Sequence, residues 1–186
     1  MIPIKTEKLT RLALLAAVAL ILFVVELAIP LPLPIAGLKL GLANIVTLIA
    51  VYRFSVGEAA AILAARVILG SLIAGNPTAL FYSFAGAAFC MVAMLLLKRA
   101  IPERAIWLNS IVGAAFHHLG QLCAAALLLG SPSVFAYYPI LLLLGGVTGS
   151  FTGVCAMLLL KRFPPRKKAG ESGTPSQKEK DENERF

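Results

Sequence analysis

Four polar side chains that stand in or beside apolar runs of the first 66 residues have the types and spacing of a solute site. They are Glu26, Lys39, Asn44 and Arg66. A charged group inside an apolar span costs free energy unless it faces protein or water, so its default interpretation is functional. Two cations and an amide can hold an anionic or polar group. The alternatives to a binding role for Arg66 are that its side chain snorkels toward the membrane surface or that it forms a structural ion pair with Glu26.

A second set of polar residues is expected to line the same pocket: Tyr82, His117, His118 and Gln121. Adjacent helical residues point about 100° apart, so only one of the two histidines is expected to face a given ligand. No acid or cysteine stands nearby at metal-ligand spacing, so no metal site is predicted. The alternative is that these side chains bond neighbouring helices.

A proline-rich stretch separates the first two apolar runs. Pro30, Pro32 and Pro34 alternate with apolar residues, and Gly37 and Gly41 flank Lys39. Prolines at this spacing favour an extended chain over a helix. Irregular backbone at a membrane edge must be covered by protein or line a wet cavity. We expect a lid or floor of the solute site, the alternative being a rigid turn.

The composition indicates an integral membrane protein. The 186 residues are 59% hydrophobic and 14% charged, whereas soluble domains are about 25% charged. Of the 26 charged side chains, 13 lie from Lys161 onward. We therefore predict a membrane domain over residues 1–162 and a disordered cytoplasmic tail over 163–186. The net charge of +8 does not imply nucleic-acid binding, because most basic residues lie at the ends of apolar runs and so indicate membrane topology.

The predicted fold is an all-α bundle of six transmembrane helices. The basic residues collect at one end of these helices, with Lys39 alone at the other, so both termini are expected in the cytoplasm of a multi-pass cell-membrane protein. The proline-rich loop would then be extracellular. The polar residues fall in the outer half and middle, the inner half being almost purely apolar. The predicted helices cover 9–29, 40–52, 58–73, 78–97, 105–129 and 134–160.

Small residues four apart predict two packing faces. Ala13 and Ala17 lie on helix 1, and Gly145, Gly149 and Gly153 form a stripe on helix 6. Such spacing lets helices approach closely. The three cysteines lie in apolar segments and are expected to be small core residues.

Three runs of the sequence resemble one known family. The runs 34–46 (PIAGLKLGLANIV), 66–72 (RVILGSL) and 117–122 (HHLGQL) are similar to the Gx transporter family, also called heptaprenyl diphosphate synthase component I. The similarity covers residues 9–162. The family in turn is similar to the substrate-binding S components of energy-coupling-factor transporters. These have six helices, an outward pocket capped by the first loop, and an Ala-x-x-x-Ala face on helix 1 that docks on a coupling subunit with ATPases.

The resemblance implies a non-enzymatic, solute-binding membrane subunit without a cofactor. Prenyl synthases hold Mg²⁺ through aspartate-rich motifs, and the single aspartate here, Asp181, lies in the tail. One alternative is a non-catalytic accessory subunit for a soluble prenyl synthase in menaquinone synthesis, or for an FMN-binding partner in flavin-based extracellular electron transfer. Another is a protein that binds a quinone or other isoprenoid lipid.

Overall fold

The computed structural model describes residues 3–29, 39–75 and 77–162, and all of its regular elements are helical. The prediction of an all-α bundle with six α-helices is confirmed for this part of the chain. The predicted disordered tail and most of the proline-rich loop lie outside the described residues. The helices are α1 (Pro3–Leu27), α2 (Asn44–Arg53), α3 (Val56–Ala74), α4 (Pro77–Leu97), α5 (Ile106–Leu129) and α6 (Tyr138–Arg162).

Five of these helices are long and apolar enough to cross a membrane, and α2 is not. The ten residues of α2 span roughly 15 Å, about half of a bilayer core. The sequence predicted a longer helix that begins at residue 40. The actual start at Asn44 follows a turn in which Gly41 has φ +84°, a backbone conformation that favours glycine.

Local signals in the sequence set the ends of α3 and α5. Ser55 accepts a hydrogen bond from the Glu58 amide, and the Glu58 carboxylate accepts one from the Ser55 amide. This capping box satisfies two amides at the start of α3. Gly75 and Gly130 end α3 and α5 with φ of 63° and 62°, as expected of helix-ending glycines. A 3₁₀ turn over Pro132–Tyr137 precedes α6, where the sequence predicted α-helix from residue 134.

The tightest packing joins α5 to α4 and α6, and glycines make it possible. A Cβ atom on Gly153 would lie 2.6 Å from the Cα of Trp107, and one on Gly149 would lie 2.8 Å from the Cα of Ile111. At these distances an added Cβ would clash with the backbone of α5. The two helix backbones are therefore in contact at positions where glycine has only a hydrogen atom. The predicted glycine stripe on helix 6 is therefore a packing face against α5.

One end of the bundle is tied together by basic side chains. Lys98 donates to the carbonyl of Val51 at 2.6 Å, and Arg53 donates to the carbonyl of Leu160 at 3.0 Å. These contacts place cations on the last carbonyls of α2 and α6, which the helix dipole favours. Lys8 on α1 forms an ion pair with Glu58 at the start of α3.

The half of the bundle near this basic end, which the sequence predicts to be almost purely apolar, contains several buried polar side chains. Asn109 is fully buried and donates to the Tyr52 hydroxyl at 2.9 Å and the Met94 carbonyl at 3.1 Å. Ser110 and Thr152 share a hydrogen bond of 2.9 Å between α5 and α6. These residues are uncharged, so hydropathy along the sequence does not separate them from their apolar neighbours.

Candidate functional site

The candidate site is a small cavity that lies between the middle of the bundle and the end opposite the basic ties. Its volume is about 10 Å³, room for about one water molecule. Five of the six helices or their flanking segments meet there. The lining residues are Phe23, Glu26, Lys39, Gly41, Arg66, Val67, Ser83 and His117.

Glu26 lies in the last turn of α1 and is buried. Its carboxylate accepts a hydrogen bond from the backbone amide of Gly41, so α1 holds the segment that leads into α2. Phe23 is one helical turn earlier and lies on the same face. Its ring packs against Gly70 of α3, where an added Cβ would lie 2.9 Å from a ring carbon.

Lys39 enters the cavity from the segment before α2. Its Nζ lies 3.4 Å from the centroid of the Phe23 ring and 3.3 Å from the Ser83 hydroxyl. An ammonium group over an aromatic face gains electrostatic stabilisation, more so when it is desolvated. Burial lowers the pKa of Lys39 to about 8, and the nearby Glu26 charge opposes this shift.

Arg66 reaches the cavity from the middle of α3 and is 4% exposed. One of its terminal nitrogens donates to Asn44 Oδ1 at 3.4 Å. Its Nε and the Asn44 Nδ2 have no hydrogen-bond partner in the described part of the chain. Asn44 is not among the residues that line the cavity but contacts Arg66, which is. The amide therefore orients the guanidinium.

Charges line the cavity without pairing directly. Within residues 3–29, 39–75 and 77–162, Glu26 forms no ion pair with Lys39 or Arg66. The sequence alternative of a structural Glu26–Arg66 ion pair is therefore not the arrangement found. Buried charges that converge without direct contact are costly unless a group between them completes their interactions.

Gln121 and His117 hold the cavity from α5. The amide of Gln121 fits best with its oxygen toward Lys39 N, at 3.2 Å, and its nitrogen toward Lys39 O, at 3.1 Å. The same oxygen lies 3.1 Å from His117 Nε2. Gln121 is fully buried and supports the site without lining it.

The remaining residues that were predicted to bind the solute, Tyr82 and His118, do not line this cavity. Tyr82 is buried in an apolar cluster with Leu122 and Leu141. His118 is fully buried and faces Gly145 on α6, where an added Cβ would lie 2.7 Å from its ring. The two histidines do point apart, as their adjacency predicts. A role for Tyr82 or His118 in binding stays a prediction.

Three lining residues, Phe23, Val67 and Ser83, were missed or left unassigned by the sequence analysis. Phe23 is an ordinary apolar residue by type, but its spacing of three from Glu26 could have placed it on the same helix face. Ser83 lies in the first half of α4, and no sequence pattern assigned it to the site. In the described ranges, no three His, Cys, Asp or Glu side chains converge as a metal site would need.

Comparison with protein families gives one match. The family described as heptaprenyl diphosphate synthase component I matches residues 15–159. The chain belongs to this family. The match spans most of the chain and includes every residue that lines the cavity. Comparison with curated proteins and with solved structures finds no match. The predicted resemblance to the component I family is thus confirmed, and its helical architecture is that of a multi-pass membrane protein.

Proposed function

We propose that this component I family member is a membrane-embedded solute-binding subunit. It binds a small anionic or polar solute at the cavity between Glu26, Lys39 and Arg66. The observation that carries the proposal is the convergence of three buried charges on one cavity without a direct ion pair. A purely structural network would be expected to pair its charges directly, because an unpaired buried charge is strongly destabilising.

The proposed pocket faces outward, with both termini in the cytoplasm of a cell-membrane protein. Since α2 alone is too short to cross the membrane, α2 and the segment before it would complete that crossing together in this proposal. The basic ties at the opposite end support this orientation, since Lys and Arg accumulate on cytoplasmic loops. Lys39, Arg66 and His117 would contact the solute, and Asn44 and Gln121 would position these groups. In this proposal the chain has no enzymatic activity of its own.

Coupling to other subunits would follow the S-component pattern. Ala13 and Ala17 are exposed on α1, which packs chiefly against α3. A small-residue face of this kind permits close approach of another transmembrane helix. We propose this face as the contact for a transmembrane coupling subunit that works with ATPases.

A second candidate function is favoured by the family description. Component I of a heptaprenyl diphosphate synthase would be a non-catalytic membrane accessory of a soluble prenyl synthase. A related alternative is that the chain is a membrane accessory of an FMN-binding redox protein. Both predict a stable protein complex and no affinity for a small polar solute.

Native mass spectrometry of the full chain, purified gently from its own membranes, tests the proposal. The wild type is expected to carry a small polar molecule that Arg66→Gln and Lys39→Gln each lose by at least ~10-fold, because truncating a buried charged contact costs ~2–5 kcal/mol. Arg104→Gln and Lys161→Gln remove exposed cations and should retain it. Retention in both site variants would contradict the proposal. A prenyl synthase, redox protein or isoprenoid as the sole co-purified species would favour the alternative.

A further inference from the structure

The charge balance of the cavity limits what it can bind. Counted by their formal charges, Lys39 and Arg66 contribute two positive charges to the lining and Glu26 contributes one negative charge. His117 adds none, because a protonated ring needs an acceptor at each nitrogen and its buried Nδ1 has no partner in the described part of the chain. The formal net charge of the site is therefore +1.

The hydrogen-bonding groups that remain unused are mostly donors. Arg66 Nε is buried without a partner among the described residues. The Lys39 ammonium has three protons, and the structure gives it one hydrogen bond, to Ser83. One Glu26 oxygen is already occupied by the Gly41 amide. A ligand that completes these interactions must chiefly accept hydrogen bonds.

We infer that the cavity is built for a singly charged anionic group, foremost a carboxylate. This inference rests on the proposed function and narrows its substrate class. A monoanion brings the buried charge of the site to zero and accepts from the free donors. A dianion would leave one buried negative charge, and a neutral solute would leave one buried positive charge, each of which carries a desolvation cost.

The small volume of the cavity limits how an anion can enter it. A space for about one water is smaller than a carboxylate group. Phe23 and Val67 form apolar walls on packed helices, whereas residues 39–41 lie between helices and are held by side-chain hydrogen bonds. For a carboxylate to bind, the cavity must therefore enlarge.

Binding of defined probes to the purified full chain tests the inference. The probes are potassium acetate, formate and chloride as monoanions, sulfate and malonate as dianions, and acetamide as the neutral analogue of acetate. Affinity is measured by calorimetry and by the ligand-induced rise in Tm, in one zwitterionic buffer at matched ionic strength. Acetate is expected to bind the wild type at least ~10-fold more tightly than either dianion or acetamide, a difference of ~1.4 kcal/mol.

Two variants change the site charge in opposite directions. Glu26→Gln keeps a carbonyl oxygen for the Gly41 amide but raises the net charge by one, and should shift preference toward the dianions by at least ~10-fold. Lys39→Gln brings the net charge to zero and should remove the preference for acetate over acetamide. Glu58→Gln is the matched control, since Glu58 pairs with Lys8 at the other end of the bundle, and its anion preference should be unchanged.

The outcomes separate this inference from the function on which it rests. Dianions bound as tightly as acetate, no binding of any probe, or unchanged preference in folded Glu26→Gln and Lys39→Gln would overturn the inference. A neutral or doubly charged co-purified molecule that is lost in Arg66→Gln would overturn it while leaving solute binding intact. Chloride bound as tightly as acetate would identify a free inorganic monoanion as the ligand, and tighter acetate binding would identify a carboxylate.

Discussion

At the residue scale, the amide of Gln121 pairs with the backbone of a single distant residue. It accepts from Lys39 N and donates to Lys39 O, much as a neighbouring strand would. The same oxygen lies 3.1 Å from His117 Nε2. One side chain thus contacts both the segment before α2 and a lining histidine.

The role of Gln121 predicts a change in local opening. In Gln121→Leu, the hydrogen bonds to Lys39 are lost, each worth about 1 kcal/mol. We expect the amides of residues 39–44 to exchange at least ~10-fold faster, as measured by hydrogen–deuterium exchange mass spectrometry. Ser150→Ala is the control, because that hydroxyl bonds only within α6, to Gly146 at 2.7 Å. Equal exchange in wild type and Gln121→Leu would show that other contacts hold this segment.

At the element scale, α5 and α6 approach through glycines on one face of α6. Gly149 faces the backbone of Ile111, whereas Gly146 on the same helix has no atom within 4 Å of an added Cβ. The two positions are three residues apart but differ entirely in the space beside them. Residue type along the helix does not distinguish them, and their packing does.

This difference predicts opposite effects of one substitution. Gly149→Ala should destabilise the bundle by ~1–3 kcal/mol, because the methyl group meets backbone that cannot turn aside. Gly146→Ala should be neutral or stabilising by up to ~1 kcal/mol, since alanine favours helix over glycine. Thermal unfolding of both variants in the same detergent measures the difference. A Tm for Gly149→Ala equal to that of Gly146→Ala would contradict the close contact.

At the scale of the whole molecule, basic groups and the cavity lie at opposite ends. At one end, Arg53 and Lys98 join α2 to α6 and to the end of α4, and the Lys8–Glu58 pair joins α1 to α3. Glu26, Lys39 and Arg66 line the cavity nearer the other. This polarity supports the proposed orientation in the membrane.

The orientation is testable by cysteine labelling in intact cells. The native cysteines, which form no disulfide, are first replaced by alanine, and a single cysteine is then placed at Arg104 or Ser133, both exposed. A membrane-impermeant maleimide should label Ser133→Cys directly and Arg104→Cys only after permeabilisation, because Arg104 lies in a basic loop that is predicted to be cytoplasmic. The reverse pattern would place the termini outside.

The sequence by itself determined the helical class, the approximate helix positions and the candidate charges. Long apolar runs with basic ends have few stable solutions in a bilayer, since every backbone group must be satisfied within a helix. A charge such as Glu26 or Arg66 stands out because it is costly in that setting. These features depend on local composition and so are visible without a fold.

Only the tertiary structure decided which polar residues meet. Tyr82 and Ser83 are neighbours in the sequence, yet Ser83 lines the cavity and Tyr82 packs in an apolar cluster. His117 and His118 divide in the same way between the cavity and α6. Such choices depend on helix rotation and on the close approach that glycines permit, and both arise from contacts between residues far apart in the chain.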